Sequence, residues 1–486
     1  MRHYPFDVDT LPVTNPYLLL ERNAKAKPNG VFFRSAHQVM TNAEAVVEVK
    51  KLAYELRRLG VQAEHVVALD LPDQLSILFM EAIYHEAAVC TVLPDRFDST
   101  GVLTIDWIFS NRPQAPQGNA VVVAVDAAFL QLVGQNPYGI RPSETPVDTL
   151  RIVFSSGTTG TPKAIALGYT ALKPFDDALE TWFEGDPFLV LMDLGTPWGF
   201  GGFYLSVEGG RPFLCVGAAS PAEIVTMAVD NTVTSLKGSP AQIASFVAEA
   251  EAQQRALPHI QSVYVGGTVM PTGVAERMRA VAEGCTIYGM YGATETGIAT
   301  SRVYESDDPS NAGQILPGAR VEVVGDDDVP VSDGVPGRIR HQTPGMVHEY
   351  LGDPYATAQS FRDGWFYPGD LGFLRPDGGL TLTGRESEVL NAGGVKIDPN
   401  RLDQFALAET GVIDACAFDY AGDSGIRRIG IALVTKDDID VTALVARFSA
   451  EFGNAAPALV ARVDTIPRNT MGKPMRRILA ERYSEG

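Results

Sequence analysis

The sequence predicts an α/β fold: a large N-terminal domain of layered sheets and helices, followed by a small α+β C-terminal domain. Three observations predict it. Short apolar runs alternate with helix-period stretches through the first part of the chain, the pattern of parallel strands covered by helices. Around and beyond Pro336 glycine and proline become dense, and acidic turns such as Asp326–Asp328 and Pro376–Gly379 separate shorter strands. The last hundred or so residues then carry helices and strands of their own.

Thr41-Asn-Ala-Glu44 is a capping box, in which hydroxyl and carboxylate each satisfy an orphan N–H at a helix start. Val46, Val49, Ala53, Leu56 and Leu59 follow at helical spacing, and Gly60 stands where that helix stops. Residues 66–71 (VVALDL) form a buried strand. Strands are predicted at 150–155 and 188–194, a helix at 241–250 and a strand at 260–265. Pro271 opens a helix to about Glu283, and 285–290 is again a strand. The C-terminal part reads as helix (401–408), strand (412–418), strand (429–434) and helix (441–452).

Composition narrows the function. Hydrophobic residues are 45% and charged residues 20%, ordinary globular usage that excludes a disordered chain. The 486 residues suffice for about three domains, or one large domain with an appendage. With 59 acids against 39 bases the net charge is −20, which weighs against a nucleic-acid partner. Cys90, Cys215, Cys285 and Cys416 lie far apart, as neither a zinc site nor a disulfide framework would have them. A reducing, cytoplasmic setting is expected. The N-terminus lacks the apolar core of a signal peptide. The most apolar stretch, Ile77–Val92, is broken by Glu81, His85 and Glu86, so no membrane span is expected. Against the acidic whole, the tail from Ala461 holds six basic residues (Arg462, Arg468, Lys473, Arg476, Arg477, Arg482) and three acids. A solvated helix face accounts for them; a surface meeting nucleotide phosphates or an acidic carrier protein is the alternative.

The strongest chemical signal is Ser155-Ser-Gly-Thr-Thr-Gly-Thr-Pro-Lys163, directly after a strand. Glycines let backbone N–H groups face an anion, five hydroxyls add donors, and Lys163 adds a cation. It is not a Walker A loop, because Pro162 and Ala164 flank the lysine. A plain glycine turn at a strand end is the competing reading.

SSGTTGTPK resembles the signature loop of the acyl-adenylate-forming superfamily of AMP-dependent ligases and acyl-CoA synthetases. Four further motifs resemble that family's in the same order: Tyr291-Gly-Ala-Thr-Glu-Thr-Gly297, Trp365-Phe-Tyr-Pro-Gly-Asp370, Gly384-Arg385, and Pro467-Arg-Asn-Thr-Met-Gly-Lys473. The resemblance covers nearly the whole chain. It implies an N-terminal AMP-binding domain over 1–384, a hinge at 385–387, and a mobile C-terminal domain over 388–486. It also implies a reaction in which ATP and a carboxylate give acyl-AMP and pyrophosphate, after which a thiol attacks.

The resemblance implies these roles. Ser155, Ser156, Gly157, Thr158, Thr159, Gly160 and Lys163 hold the β- and γ-phosphates, with Gly267 also at the nucleotide. Glu295 holds Mg²⁺, whose hard oxygen preference suits a carboxylate. Thr294 bonds the α-phosphate, Tyr291 stacks on adenine, Asp370 accepts the ribose hydroxyls and Arg385 adds donors nearby. Pro368 stands where the family has threonine before the Gly-Asp pair. Lys473 bridges carboxylate and α-phosphate. Ser387 occupies the hinge, where Asp or Lys is usual. Gly393, Gly394 and Lys396 face the site after rotation and give passage to a pantetheine arm.

By order along the chain, the acyl pocket draws on Trp198, Phe200, Gly266, Thr268, Gly289, Met290 and Ile298. These segments lack an aspartate to hold an α-ammonium, which argues against amino acids. They lack Arg and His, which argues against dicarboxylates. An apolar acid, aryl or medium-chain, is expected, although Trp198 is equally readable as core packing. CoA is the expected acceptor, with a carrier-protein thiol as the alternative. A nucleotide sensor or P-loop kinase would use the glycine loop but has no role for Asp370 and Lys473.

Overall fold

A computed structural model describes residues 15–93, 103–112, 119–145, 148–155, 163–168, 171, 187–217, 219–305, 310–386, 388, 390–392, 395–421, 427–436, 439–468 and 474–484. The N-terminal domain is built on two large sheets. One has six strands in the order Val121–Ala124, Trp107–Ser110, Val66–Asp70, Val89–Val92, Arg151–Ser155 and Lys163–Leu167. The first five are parallel, and the last returns antiparallel to its neighbour. The other sheet has twelve strands. Phe188–Val190, Ser235–Gly238, Ser262–Gly266 and Thr286–Ala293 are parallel at one end. Antiparallel strands continue it through Gly297–Val303, Asn311–Ile315, Gly379–Arg385 and Asp370–Leu374.

Local signals fold as expected where their partners are near in sequence. The first capping box forms, with the Thr41 N–H donating to Glu44 at 2.8 Å and the Glu44 N–H to the Thr41 hydroxyl at 3.3 Å. Helix Asn42–Leu59 follows and stops at Gly60, whose φ of 104° is left-handed. The helix Pro240–Ala252 also starts on a capping box, Ser239 with Gln242.

The strand expected at 188–194 is shorter. It ends at Val190, the chain turns at Asp193, and Thr196 caps a helix over Pro197–Glu208. The apolar run served two elements, and the turn fits because Gly199 packs against the Asp193 carbonyl, where a Cβ would lie at 1.9 Å. In the other direction, the strand expected at 285–290 runs on to Ala293, into the Tyr291 motif.

Strand alternation sorts the twelve-stranded sheet into two faces. Leu189, Leu236, Val263, Val265 and Ile287 pack under Ile243, Val247, Ala275 and Met278 of the helices Pro240–Ala252 and Thr272–Val281. The opposite face carries Val190, Lys237, Tyr264, Gly266, Tyr288 and Met290 in register. This second face serves the site.

The C-terminal residues build cores of their own. Leu402, Ile431, Leu433, Leu444 and Phe448 form one, and Cys416, Phe418, Ile466 and Leu479 another. A three-stranded sheet of Val412–Ala421, Arg427–Thr435 and Leu459–Arg462 lies between helices Pro399–Leu407, Val441–Phe452 and Arg476–Ser484. All four cysteines are buried and form no disulfide. Among the described residues, no helix is long and apolar enough to cross a membrane.

One buried acid is open to test. Glu81, on the fully packed helix Asp73–His85, is 0% exposed, and neither carboxylate oxygen has a hydrogen-bond partner among the described residues. Burial raises its pKa to about 8. A folded-state pKa above the unfolded one adds stability that is full below about pH 4.5 and is lost as pH climbs through about 8. Glu81→Gln is therefore expected to melt a few degrees above the parent at pH 8, with the difference shrinking towards pH 5. Scanning calorimetry at the two pH values checks it, and a constant difference contradicts it.

Candidate active site

Strands Thr286–Ala293 and Gly297–Val303 form a hairpin whose turn is Thr294-Glu295-Thr296. Its closure needs Gly292, because a Cβ there would lie 2.0 Å from the Gly297 carbonyl oxygen. Glu295 is 7% exposed and accepts a hydrogen bond at Oε1 from the Tyr350 hydroxyl at 2.7 Å. Burial, then the charge of Glu295, drives the Tyr350 phenol well above its usual range, so it stays a donor. The Lys163 ammonium sits 4.5 Å from the centroid of the same ring. Lys163 and Ser155 are register partners at the mouth of the six-stranded sheet's last hairpin. Tyr350 thus joins the lysine of the glycine-rich loop to the acid of the second motif. No spacing announces it, since Tyr350 lies 55 residues beyond Glu295.

The third motif meets the same hairpin at Tyr291. Asp370, 7% exposed, accepts from the Tyr291 hydroxyl at 2.8 Å and from Arg385 Nε at 2.6 Å. Asp370 and Arg385 are directly opposed on neighbouring strands, which is why two motifs fifteen residues apart act together. Burial, then Asp370, raises the Tyr291 pKa well above the usual phenol value. Burial pulls the Arg385 guanidinium down, but Asp370 and Glu388 more than offset it, and its pKa ends raised. His341, 0% exposed, packs its ring tilted 5.9 Å from Tyr291 and edge-on 5.5 Å from Phe366, and burial lowers its pKa to about 4. Sequence reading missed it. Gly369, at φ 78°, accepts the Glu386 N–H at 2.9 Å, tying the motif to the segment before Ser387.

The pocket residues divide. Trp198 is half-buried against Phe188, Val190 and Met192, and its ring lies over Gly266, where a Cβ would meet Cζ2 at 2.8 Å. Met290 is the register partner of Gly266 on that face. Ile298 is half-buried opposite Gly292, Thr294 is half-buried in the hairpin turn, and Gly267 and Thr268 form an exposed turn. Two expectations are corrected. Phe200 is 0% exposed in the central core, under the Arg151 guanidinium at 5.1 Å, because its position on the helix Pro197–Glu208 turns it away from Trp198. Gly289 points to the helix-covered face, towards Arg302, because it is one residue out of phase with Met290. The sheet also adds a basic side chain that the pocket segments lack. Lys237 is 3% exposed, 4.0 Å over the Phe188 ring and 5.7 Å from Tyr264, and burial pushes its amine well below the usual lysine range.

Ser156, Gly157, Thr158, Thr159, Gly160, Ser387, Gly393, Gly394 and Lys473 lie outside the described residues; Lys396 is on the strand Val395–Ile397. The basic residues of the tail divide between ion pairs and an exposed helix face. Arg476 is largely buried and bonded to Asp403 at 2.7 Å, Arg468 pairs with Asp414 at 2.7 Å, and Arg477 pairs with Glu481 at 2.5 Å. Arg476 and Arg468 are thus spent on acids elsewhere in the domain, whereas Arg477 and its partner stay on the exposed face of their own helix.

Residues 20–351 match the family described as AMP-binding enzyme. The chain is 29% identical over 423 residues to the medium/long-chain-fatty-acid–[acyl-carrier-protein] ligase FadD10 of Mycobacterium tuberculosis, across 80% of this chain and 74% of that protein. It is 26% identical over 488 residues to a feruloyl-CoA synthase of an Amycolatopsis species, across 95% and 98%. In fold it matches o-succinylbenzoate CoA synthetase of Bacillus subtilis, solved with its acyl-adenylate intermediate. The TM-score is 0.80 at 20% identity, over 95% of this chain and 97% of that one.

Proposed function

Because the chain belongs to the family of AMP-binding enzymes and is an AMP-forming acid–thiol ligase, we propose that it adenylates an apolar acid, aryl or medium-chain, and passes the acyl group to CoA. The observation that carries this reading is one hairpin with two chemistries four residues apart. At Glu295 a carboxylate and the Lys163 cation share Tyr350; at Tyr291 a phenol and Arg385 share Asp370. The first end suits a polyphosphate and the second a ribose.

Glu295 fits a divalent cation, being a hard oxygen donor fixed by a buried hydroxyl. Mg²⁺ there would supply positive charge against the triphosphate. Lys163 and the glycine-rich loop hold the β- and γ-phosphates, Thr294 the α-phosphate, and Tyr291 the adenine. Asp370, already aimed by Tyr291 and Arg385, takes the ribose hydroxyls. Lys473 draws the substrate carboxylate onto the α-phosphate. The C-terminal domain then turns about Ser387, so that Gly393, Gly394 and Lys396 admit the thiol.

Trp198 over Gly266, with Met290 beside it, supports a flat or short apolar acyl group. The feruloyl-CoA synthase likeness over nearly the full length of both chains supports the aryl class and CoA. The higher identity to FadD10 favours a second reading, in which a carrier-protein phosphopantetheine accepts the acyl group. An ATP–pyrophosphate exchange panel over short, medium, long and aryl acids tests the first half. Exchange with no apolar acid refutes it. AMP release stimulated by CoA supports CoA as acceptor, whereas adenylate build-up indifferent to CoA refutes it.

A further inference from the structure

The segment 343–351 is a strap across the phosphate end of the site. The Thr343 hydroxyl donates to the Thr296 carbonyl, and the Val347 N–H to the Glu295 carbonyl at 2.8 Å. The Leu351 N–H donates to the Ala164 carbonyl at 2.9 Å, forming a bridge beside Lys163. The two motifs are therefore laced together by backbone, and Tyr350 adds the side-chain link. Its hydroxyl reaches Glu295 and its ring face carries Lys163. The tyrosine has no freedom to do otherwise. It is 4% exposed, its N–H donates to Thr357 Oγ1 at 2.9 Å, and Phe361 packs edge-on at 5.2 Å.

We propose that Tyr350 is the positioning residue of the phosphate end, whose hydroxyl aims the Glu295 carboxylate at the divalent cation while its ring aims Lys163 at the polyphosphate. This rests on the ATP-binding reading above. A carboxylate on a flexible stem loses rotamer freedom when it takes a metal; a buried phenol that has already fixed it removes that loss. A ring face does the same for an ammonium on a four-carbon stem, by attraction rather than by a second charge.

The test uses the full-length chain, with Mn²⁺ as the metal probe and β,γ-methylene ATP as the nucleotide. Free Mn²⁺ is read by electron paramagnetic resonance, and metal-free binding of the analogue by fluorescence in EDTA. Tyr350→Phe keeps the ring and removes the hydroxyl. Mn²⁺ binding with the analogue present is expected to weaken about tenfold, with metal-free analogue binding unchanged. Tyr350→Leu is expected to weaken both. Thr343→Val cuts the strap without touching the phenol, and is expected to lower the melting temperature while leaving the Mn²⁺ curve in place. A Tyr350→Phe curve that superimposes on the parent's overturns the proposal, as does an equal Mn²⁺ shift in Thr343→Val. If the parent binds neither probe, the ATP reading itself falls, an outcome distinct from a parent that binds and a variant that does not differ.

Discussion

Lys473→Ala is expected to lower ATP–pyrophosphate exchange by about a hundredfold to a thousandfold, yet to leave thioester formation from supplied acyl-AMP largely intact. The first half-reaction brings a carboxylate against a phosphate. Two such charges at 4 Å repel by about 4 kcal/mol in a site of intermediate polarity. An ammonium with three donors on a flexible stem is suited to offset that repulsion as the carboxylate oxygen attacks. Thiol attack on a finished adenylate has no second anion to hold, so the same lysine has little to add there. On either side of that lysine, Arg468 and Pro474 pair, and the Met475 N–H donates to the Pro467 carbonyl at 2.8 Å. Exchange at the parent's rate would refute the role. Equal loss of both half-reactions would make Lys473 a general structural residue instead.

What the sequence disclosed follows from distance along the chain. Capping boxes at Thr41 and Gly60's helix stop are decided by residues within a turn or two, and both form as read. The glycine-rich loop and the Tyr291, Asp370 and Arg385 motifs were legible because each concentrates unusual residue types in a short stretch. The bonds that assemble them were not. Tyr350 to Glu295 spans 55 residues, Tyr291 to Asp370 spans 79, and Arg476 to Asp403 spans 73. Chain order also leaves the face of a strand undetermined. Gly289 and Met290 are neighbours in sequence and lie on opposite sides of the sheet, as strand geometry requires. Phe200 fails for a related reason: an apolar run around glycines reads as a pocket loop, but Thr196 caps it into a helix that buries the ring. In the tail, a count of charges does not show which of them meet carboxylates folded back from elsewhere, as Arg468 and Arg476 do, and which stay on an exposed helix face, as Arg477 does.

Arg476→Met is expected to destabilise the C-terminal domain by about 3–5 kcal/mol, the largest stability effect of any single change considered. The guanidinium is largely enclosed, donating to Asp403 at 2.7 Å, to Asn400 at 2.9 Å and to the Ala417 carbonyl at 2.7 Å, with Glu388 at 3.7 Å beside it. Burial pulls its pKa down and Asp403 leads the groups that outweigh it, leaving the charge locked on. Methionine matches much of the volume, so the loss is electrostatic. Asp403, 6% exposed, would keep only the Ala417 N–H and become a buried charge without a cation. Burial already raises the Asp403 pKa against the opposing pull of Arg476. With that pull removed the pKa rises further. A raised folded-state pKa is stability present at low pH and lost as pH increases, so the deficit of the variant should shrink on acidification. Asp403→Asn in the same chain should recover much of the loss, since an amide keeps the acceptor for Ala417 without the charge. Urea melts of the C-terminal transition at pH 5 and pH 8 measure all three chains. A pH-independent deficit, or no recovery in the double variant, would show that Arg476 holds the domain by packing alone.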